Sequence, residues 1–193
     1  MADIIHARAI VVLGDCHIHP AKGVDWPPAA LDAFEGADLF VTLGDMGERA
    51  GLDTLARLAP VIGVRGRDDE DDPRTAAKLR VLEAGGLRIG CVFDPVEAGV
   101  ALQTEPPLWS PAEKLRQLFD GPLDALLWAS THAPSIERID GRLQLNPGSA
   151  TLPGKNAPAS FARLTLAAGA MEGEIISLQT VGSTPRSARA QPR

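Results

Sequence analysis

Apolar runs alternate with amphipathic stretches along this chain, and polar residues gather where the runs end. Ala9-Ile10-Val11-Val12-Leu13 is continuous, rich in β-branched residues, and stops at Gly14-Asp15. It predicts a buried central strand entering a loop. Leu39-Phe40-Val41-Thr42-Leu43 repeats the pattern and also ends in Gly-Asp, at Gly44-Asp45. Between them Asp25 is a candidate cap for a helix starting near Pro27-Pro28, with Leu31 and Phe34 on one side. Leu52, Leu55, Ala56 and Leu58 give a second helical face, and Val61-Ile62-Gly63-Val64 a third strand. Strand, helix, strand, helix, strand is the α/β pattern, and such sheets bind ligands beyond the carboxyl ends of their strands.

The second half predicts hairpins. Lys78 to Glu83 and Leu87 to Val92 flank Ala84-Gly85-Gly86, and Ser135 to Ile139 and Arg142 to Leu145 flank Asp140-Gly141. Ser110-Pro111-Ala112-Glu113 starts a helix running to about Asp120, where Gly121-Pro122 stops it. Asp124 to Trp128 reads as another buried strand, and Phe161 to Ala167 with Glu174 to Leu178 as a final pair. Residues 1–182 form one domain in this reading, followed by a disordered basic tail at 183–193.

Composition narrows the partners more than the fold. The chain has 193 residues, 45% hydrophobic and 23% charged, a globular balance long enough to bury roughly 70% of its unfolded surface without staples. No apolar run reaches the ~18 residues of a membrane span, and the first residues lack a secretory apolar core. The expectation is a cytoplasmic protein with no membrane partner. Two cysteines, Cys16 and Cys91, suit a reducing compartment and cannot build a Cys-rich zinc site. The net charge is −6, and Arg186, Arg189 and Arg193 in the tail leave the body more acidic still. That disfavours duplex nucleic acid as a partner, and five Phe, three Trp and no Tyr make a poor stacking platform for single strands.

Candidate chemistry sits at the strand ends. Asp15 and His17 are two apart after the first strand, so an extended backbone would point both at a single ion. Asp45 occupies the same position on the second strand and His132 follows Asp124 to Trp128. Two carboxylates and two imidazoles suit a borderline divalent ion such as Mn²⁺, Zn²⁺ or Fe²⁺. The bland alternative is a satisfied histidine and two capping aspartates. Cys16 and Cys91 read as buried fillers. His19 is a candidate substrate contact or a surface residue, His6 is structural, and Trp109 is a candidate pocket rim. The acidic run Asp68 to Asp72 reads most simply as a solvated loop; beside a mouth it would repel polyanions.

In order, Gly14-Asp15-Cys16-His17, Leu43-Gly44-Asp45, Arg65-Gly66-Arg67-Asp68-Asp69, Thr131-His132 and Asn146-Pro147-Gly148-Ser149 resemble the calcineurin-like metallophosphoesterases. The likeness is to the small bacterial phosphodiesterase branch, which shares its fold with a retromer subunit, and it covers residues 9–180. The resemblance implies a four-layer α/β/β/α sandwich with two metal ions, one held by Asp15, His17 and His132 and bridged to the other by Asp45. The departures fall on the second ion. The family's Asn ligand becomes Arg67, its His-Gly falls near Phe93-Asp94, and the first histidine of Gly-His-Thr-His becomes Ser130.

The expected activity is hydrolysis of a small phosphodiester or phosphomonoester by metal-activated water, with one well-formed site for Mn, Zn, Fe or Ni. Asp45 and His132 serve the ion, and Arg67, a fixed cation with a fork matched to two phosphate oxygens, takes over the second ion's charge. A second option is that Asp68, Asp69 or Asp94 rebuilds a carboxylate-rich second site, with Ser130 and His19 nearby. The rivals are a catalytically weak scaffold that binds a protein partner or a second copy, and a phosphate or nucleotide sensor.

Overall fold

The computed structural model describes residues 2–100, 110–167 and 169–178. The expected loop rim at Trp109 and the tail at 183–193 lie outside these residues. Eleven strands form two sheets. β1 (Asp3–Ile4), β5 (Leu79–Ala84), β6 (Leu87–Val92), β7 (Ala125–Leu127), β8 (Ser135–Ile139) and β9 (Arg142–Asn146) make a six-stranded sheet ordered β1-β5-β6-β7-β9-β8. The other sheet is ordered β11-β10-β2-β3-β4, from β2 (Ala9–Leu13), β3 (Leu39–Thr42), β4 (Val61–Gly63), β10 (Ser160–Ala167) and β11 (Ala170–Ser177).

Strand parity explains the layers. Ile10 and Val12 of β2 face the other sheet, where they meet Leu82, Ile89, Cys91 and Leu127; Val11 and Leu13 face outward. The outward residues are covered by α1 (Pro28–Ala33) and α2 (Arg49–Ala56), through Ala30, Phe34, Leu52 and Leu55. There Phe34 makes edge-on contacts with Phe40 at 5.6 Å and Phe161 at 5.1 Å, each pair worth about 0.5–1.5 kcal/mol beyond its buried area. On the outer face of the six-stranded sheet, Val92 and Leu126 pack under α3 (Pro111–Leu118) through Leu115 and Phe119. Helices, sheet, sheet, helix is the four-layer α/β/β/α sandwich the resemblance implies.

The elements follow the patterning with local differences. Both hairpins close on two residues with positive φ, Gly85-Gly86 and Asp140-Gly141, as a type I′ turn requires. Ser110 and Glu113 form a capping box, and α3 ends at Leu118 rather than Asp120. Asp25 does not cap α1: its Oδ1 accepts from the adjacent Trp26 N–H, and Pro27 occupies the cap. Leu58, expected on the buried face of α2, lies past its end and is exposed. β1, too short to show a period, adds a parallel edge strand beside β5.

β2, β3 and β4 run parallel in register, Val12 beside Val41 and Val41 beside Ile62. β6, β7 and β9 are parallel in the facing sheet. Their carboxyl ends therefore open on the same edge of the sandwich, and that edge gathers the loops at residues 14–19, 44–48, 65–69, 93–97, 129–132 and 146–152.

Candidate metal centre

The chain leaves the sheet edge by an unusual backbone. Asp15 (φ 52°), His17 (φ 47°), Asp45 (φ 50°), Ser130 (φ 77°) and His132 (φ 55°) are five of the seven described non-glycine residues with positive φ. Left-handed residues of this kind cost roughly 1 kcal/mol or more each and concentrate at functional sites. The expected extended Asp15–His17 segment is thus corrected: alternating left-handed residues, not an extended strand, put both side chains on one side. Backbone ties hold the shape, with Asp15 N–H donating to the Gly44 carbonyl (3.0 Å) and His17 N–H to that of Asp45 (2.8 Å). Cys16, between them, is fully buried, and burial pushes its thiol up to about 12.

These turns bring Asp15, His17 and His132 together: one ligand atom from each lies within 4.8 Å of the other two. Asp45 is beside them, with its Oδ2 3.7 Å from His17 Nε2. Asp15 is fully buried; its Oδ1 accepts from Ser130 N–H (3.1 Å) and its Oδ2 from His132 N–H (2.9 Å). Burial raises its carboxyl above the ordinary range, against those two hydrogen bonds. Ser130 thus serves the centre through its backbone N–H.

The two imidazoles test whether a cation fits. His132 Nδ1 lies 2.6 Å from the Leu152 carbonyl, which can only accept, so Nδ1 carries the proton. His17 Nδ1 lies 2.8 Å from Asp68 Oδ2 and likewise donates. The two Nε2 atoms then face each other 3.4 Å apart, with planes stacked 7° from parallel. Facing nitrogens at this distance share a cation, either a proton in an N–H···N bond or a metal ion. Two nitrogens sharing a tetrahedral ion at ~2.0–2.1 Å stand about 3.4 Å apart. With the buried Asp15 carboxylate alongside, the donor set fits a divalent ion.

The neighbouring acids divide by role. Asp68 Oδ2 also accepts from His19 Nε2 (2.7 Å), and His19 Nδ1 reaches Glu48 Oε1 (3.2 Å). A carboxylate faces each nitrogen of His19; the Asp68 hydrogen bond above all, with Glu48 and against burial, raises its pKa. For Asp68 burial pulls upward, but the bonds from His17 and His19 outweigh it and hold the carboxyl below its ordinary range. Asp69 behaves differently. Its oxygens accept from the backbone N–H groups of Asp45 (3.1 Å), Met46 (2.6 Å), Gly47 (3.1 Å) and Gly66 (2.6 Å), clasping two loops together.

The acidic run is solvated only in part: Asp68, Glu70 and Asp71 are exposed, while Asp69 and Asp72 are buried. Arg74 forks onto both Asp72 oxygens at 2.8 and 2.6 Å. The loop also approaches β3 so closely that a Cβ on Gly66 would run into Asp45.

Arg67 and Asp94 meet each other. Arg67 Nη2 lies 3.0 Å from Asp94 Oδ2 and 2.6 Å from Glu97 Oε1, and its guanidinium carbon stands 5.2 Å from the Phe93 ring centre. Asp94 Oδ1 takes the N–H groups of Val96 and Glu97, so Asp94 spends its carboxylate on its own turn and on Arg67. Under the centre, Asn146 donates to the Ala129 carbonyl (3.3 Å) and Thr131 Oγ1 (3.1 Å), holding the loop that carries His132. Leu152 and Glu48 were not candidates from sequence. A carbonyl carries no residue-type signal, and Glu48 is distant in the chain from the groups it serves.

Residues 9–169 match the model of the calcineurin-like phosphoesterase superfamily domain. A probable metallophosphoesterase of Methanothermobacter thermautotrophicus is 30% identical over 151 residues, 78% of this chain and 81% of that protein. Another, from Methanocaldococcus jannaschii, is 29% identical over 147 residues, 75% and 69% of the two chains. Among solved structures, Vps29 of Chaetomium thermophilum aligns with a TM-score of 0.67 at 24% identity, over 90% of this chain and 100% of that one. No described helix is long and apolar enough to cross a membrane.

Proposed function

The chain belongs to the calcineurin-like phosphoesterase superfamily, and from that premise we propose that it is a phosphoesterase for small phosphodiesters or phosphomonoesters, working through one well-formed metal site. The single observation carrying this reading is the pair of facing Nε2 atoms of His17 and His132, 3.4 Å apart beside the buried Asp15. Asp15, His17 and His132, with Asp45 beside His17, would hold the ion. Bound there, a divalent ion would supply a water of lowered pKa and a Lewis acid for a phosphate oxygen.

The remaining work falls to this chain's own groups. Asp68 and the Leu152 carbonyl fix both imidazoles by their Nδ1 protons, keeping Nε2 aimed inward. The backbone N–H groups of Ser130 and His132 fix Asp15. Arg67 stands where the resemblance puts a second-ion ligand, and its partner Asp94 lies near another such position. An Arg–Asp pair there supports one ion rather than two. With its side chain 55% exposed, Arg67 is free to exchange the exposed Glu97 for two oxygens of a phosphate, which its fork matches.

Metal analysis and a hydrolysis assay test the reading together. We expect one tightly bound ion per chain, and Mn²⁺-dependent hydrolysis of bis-p-nitrophenyl phosphate that falls about 10³-fold in Asp45→Ala. Hydrolysis that is absent, or indifferent to the substitution, would move the protein to a binding role; two tight ions would remove Arg67 from its part.

A further inference from the structure

A cleft of about 470 Å³ starts at the Arg65-Gly66-Arg67 loop and runs to Leu118, at the end of α3. That is the volume range of small-molecule sites. Its near end belongs to the loop that borders the metal centre, because Asp68 N–H donates to Asp45 Oδ1 at 2.8 Å. Its walls are apolar: Leu79, Val92, Phe93 and Leu118. The charges around it are largely internally matched. Arg67 takes both Asp94 and Glu97, and Arg65 pairs with Asp71, which leaves Lys78 exposed at the rim.

We infer that this cleft receives the organic ester arm of the substrate, and that the arm is apolar and aromatic. The inference rests on the phosphoesterase reading above. A phosphate taken by Arg67 would direct one substituent along the Arg67 side, toward Leu79, Ala98 and Leu118, where water would be displaced from half-buried apolar wall. A flat ring meets the exposed Arg67 guanidinium and the Leu79 and Leu118 surfaces. The preferred substrate is therefore an aryl or similarly apolar phosphodiester rather than a sugar phosphate or a short alkyl ester.

Two esters isolate the arm. Bis-p-nitrophenyl phosphate and methyl p-nitrophenyl phosphate expel the same leaving group and differ in what stays on phosphorus. With Mn²⁺, the ratio of their kcat/KM values should fall about tenfold in Ala98→Phe, which fills the cleft, while the methyl ester's rate holds. An unchanged ratio overturns the inference and leaves the phosphoesterase reading standing. Leu118→Gln, which removes apolar wall instead of filling space, repeats the test if Ala98→Phe does not fold.

If neither ester is hydrolysed, saturation-transfer NMR with diphenyl phosphate decides. Contact seen with the wild type and lost in Ala98→Phe keeps the cleft while the phosphoesterase reading falls. Equal contact in both proteins, or none in either, overturns the cleft.

Discussion

The two sides of the mouth are built on different physics. On the Asp15 side the donors ride on left-handed backbone, are held by N–H and carbonyl groups, and sit in buried or half-buried positions. On the Arg67 side the charged groups are carried on longer side chains, more than half exposed at Arg67 and Glu97, and closed by ion pairs. Buried donors fixed by backbone cost strain and desolvation, which only a bound cation returns. Exposed ion pairs cost little and bind little, and they exchange partners readily. The first side is a fixed cradle for a charge; the second is a movable charge waiting for a ligand. In the one-ion reading proposed above, one side keeps its order and the other supplies a cation of its own.

If the cradle depends on backbone ties, its largest vulnerability is not a ligand but Asp69. This carboxylate joins the β3 and β4 loops through four backbone N–H groups. Asp69→Ala leaves those donors unpartnered near the centre, and we expect a loss of about 3 kcal/mol, read as a lower midpoint in urea. The bound ion should weaken with it. A variant as stable as the wild type would mean that the two loops hold each other without the clasp.

The movable side should respond in the opposite way. Arg67→Ala is expected to lower kcat/KM about 100-fold, the worth of a charge-assisted fork on phosphate, with stability and metal content unchanged. Arg67→Lys should recover only part of the loss, since an ammonium lacks the fork. If Arg67→Ala changes metal content instead, the guanidinium belongs to the cradle and the contrast between the sides fails.

Much of this division was legible in the chain. Runs such as Ile10 to Leu13 marked the central strands, the repeated Gly-Asp at two strand ends marked the mouth, and Asp15, His17 and His132 come together with Asp45 beside His17. What stayed hidden was hydrogen-bond partnership across distance. Asp68 and Asp69 are adjacent and chemically identical, yet one orients an imidazole while the other clasps backbone. Nothing local separates them, because the difference lies in which distant loop each side chain meets, 51 residues away for Asp68 and 23 for Asp69. The left-handed residues were hidden for a related reason: Asp and His tolerate positive φ but do not demand it, so only the closed sheet edge decides. Leu152 contributes a carbonyl, which every residue possesses.

Asp68 offers the smallest and most discriminating measurement. Its Oδ2 receives His17 Nδ1 and His19 Nε2 together, so it orients a metal-binding imidazole without approaching the place where an ion would lie. An outer partner of this kind is worth roughly tenfold in metal affinity at the low end. Asp68→Asn retains the shape and one acceptor while removing the charge, so we expect Mn²⁺ to bind about tenfold more weakly with little change in stability. His19→Gln should have a much smaller effect, since His17 keeps its carboxylate. If both substitutions weaken the ion equally, the relevant unit is the His19–Asp68–His17 chain as a whole. If neither does, the fixed backbone alone aims His17, and the Asp15 side is more rigid than its hydrogen bonds imply.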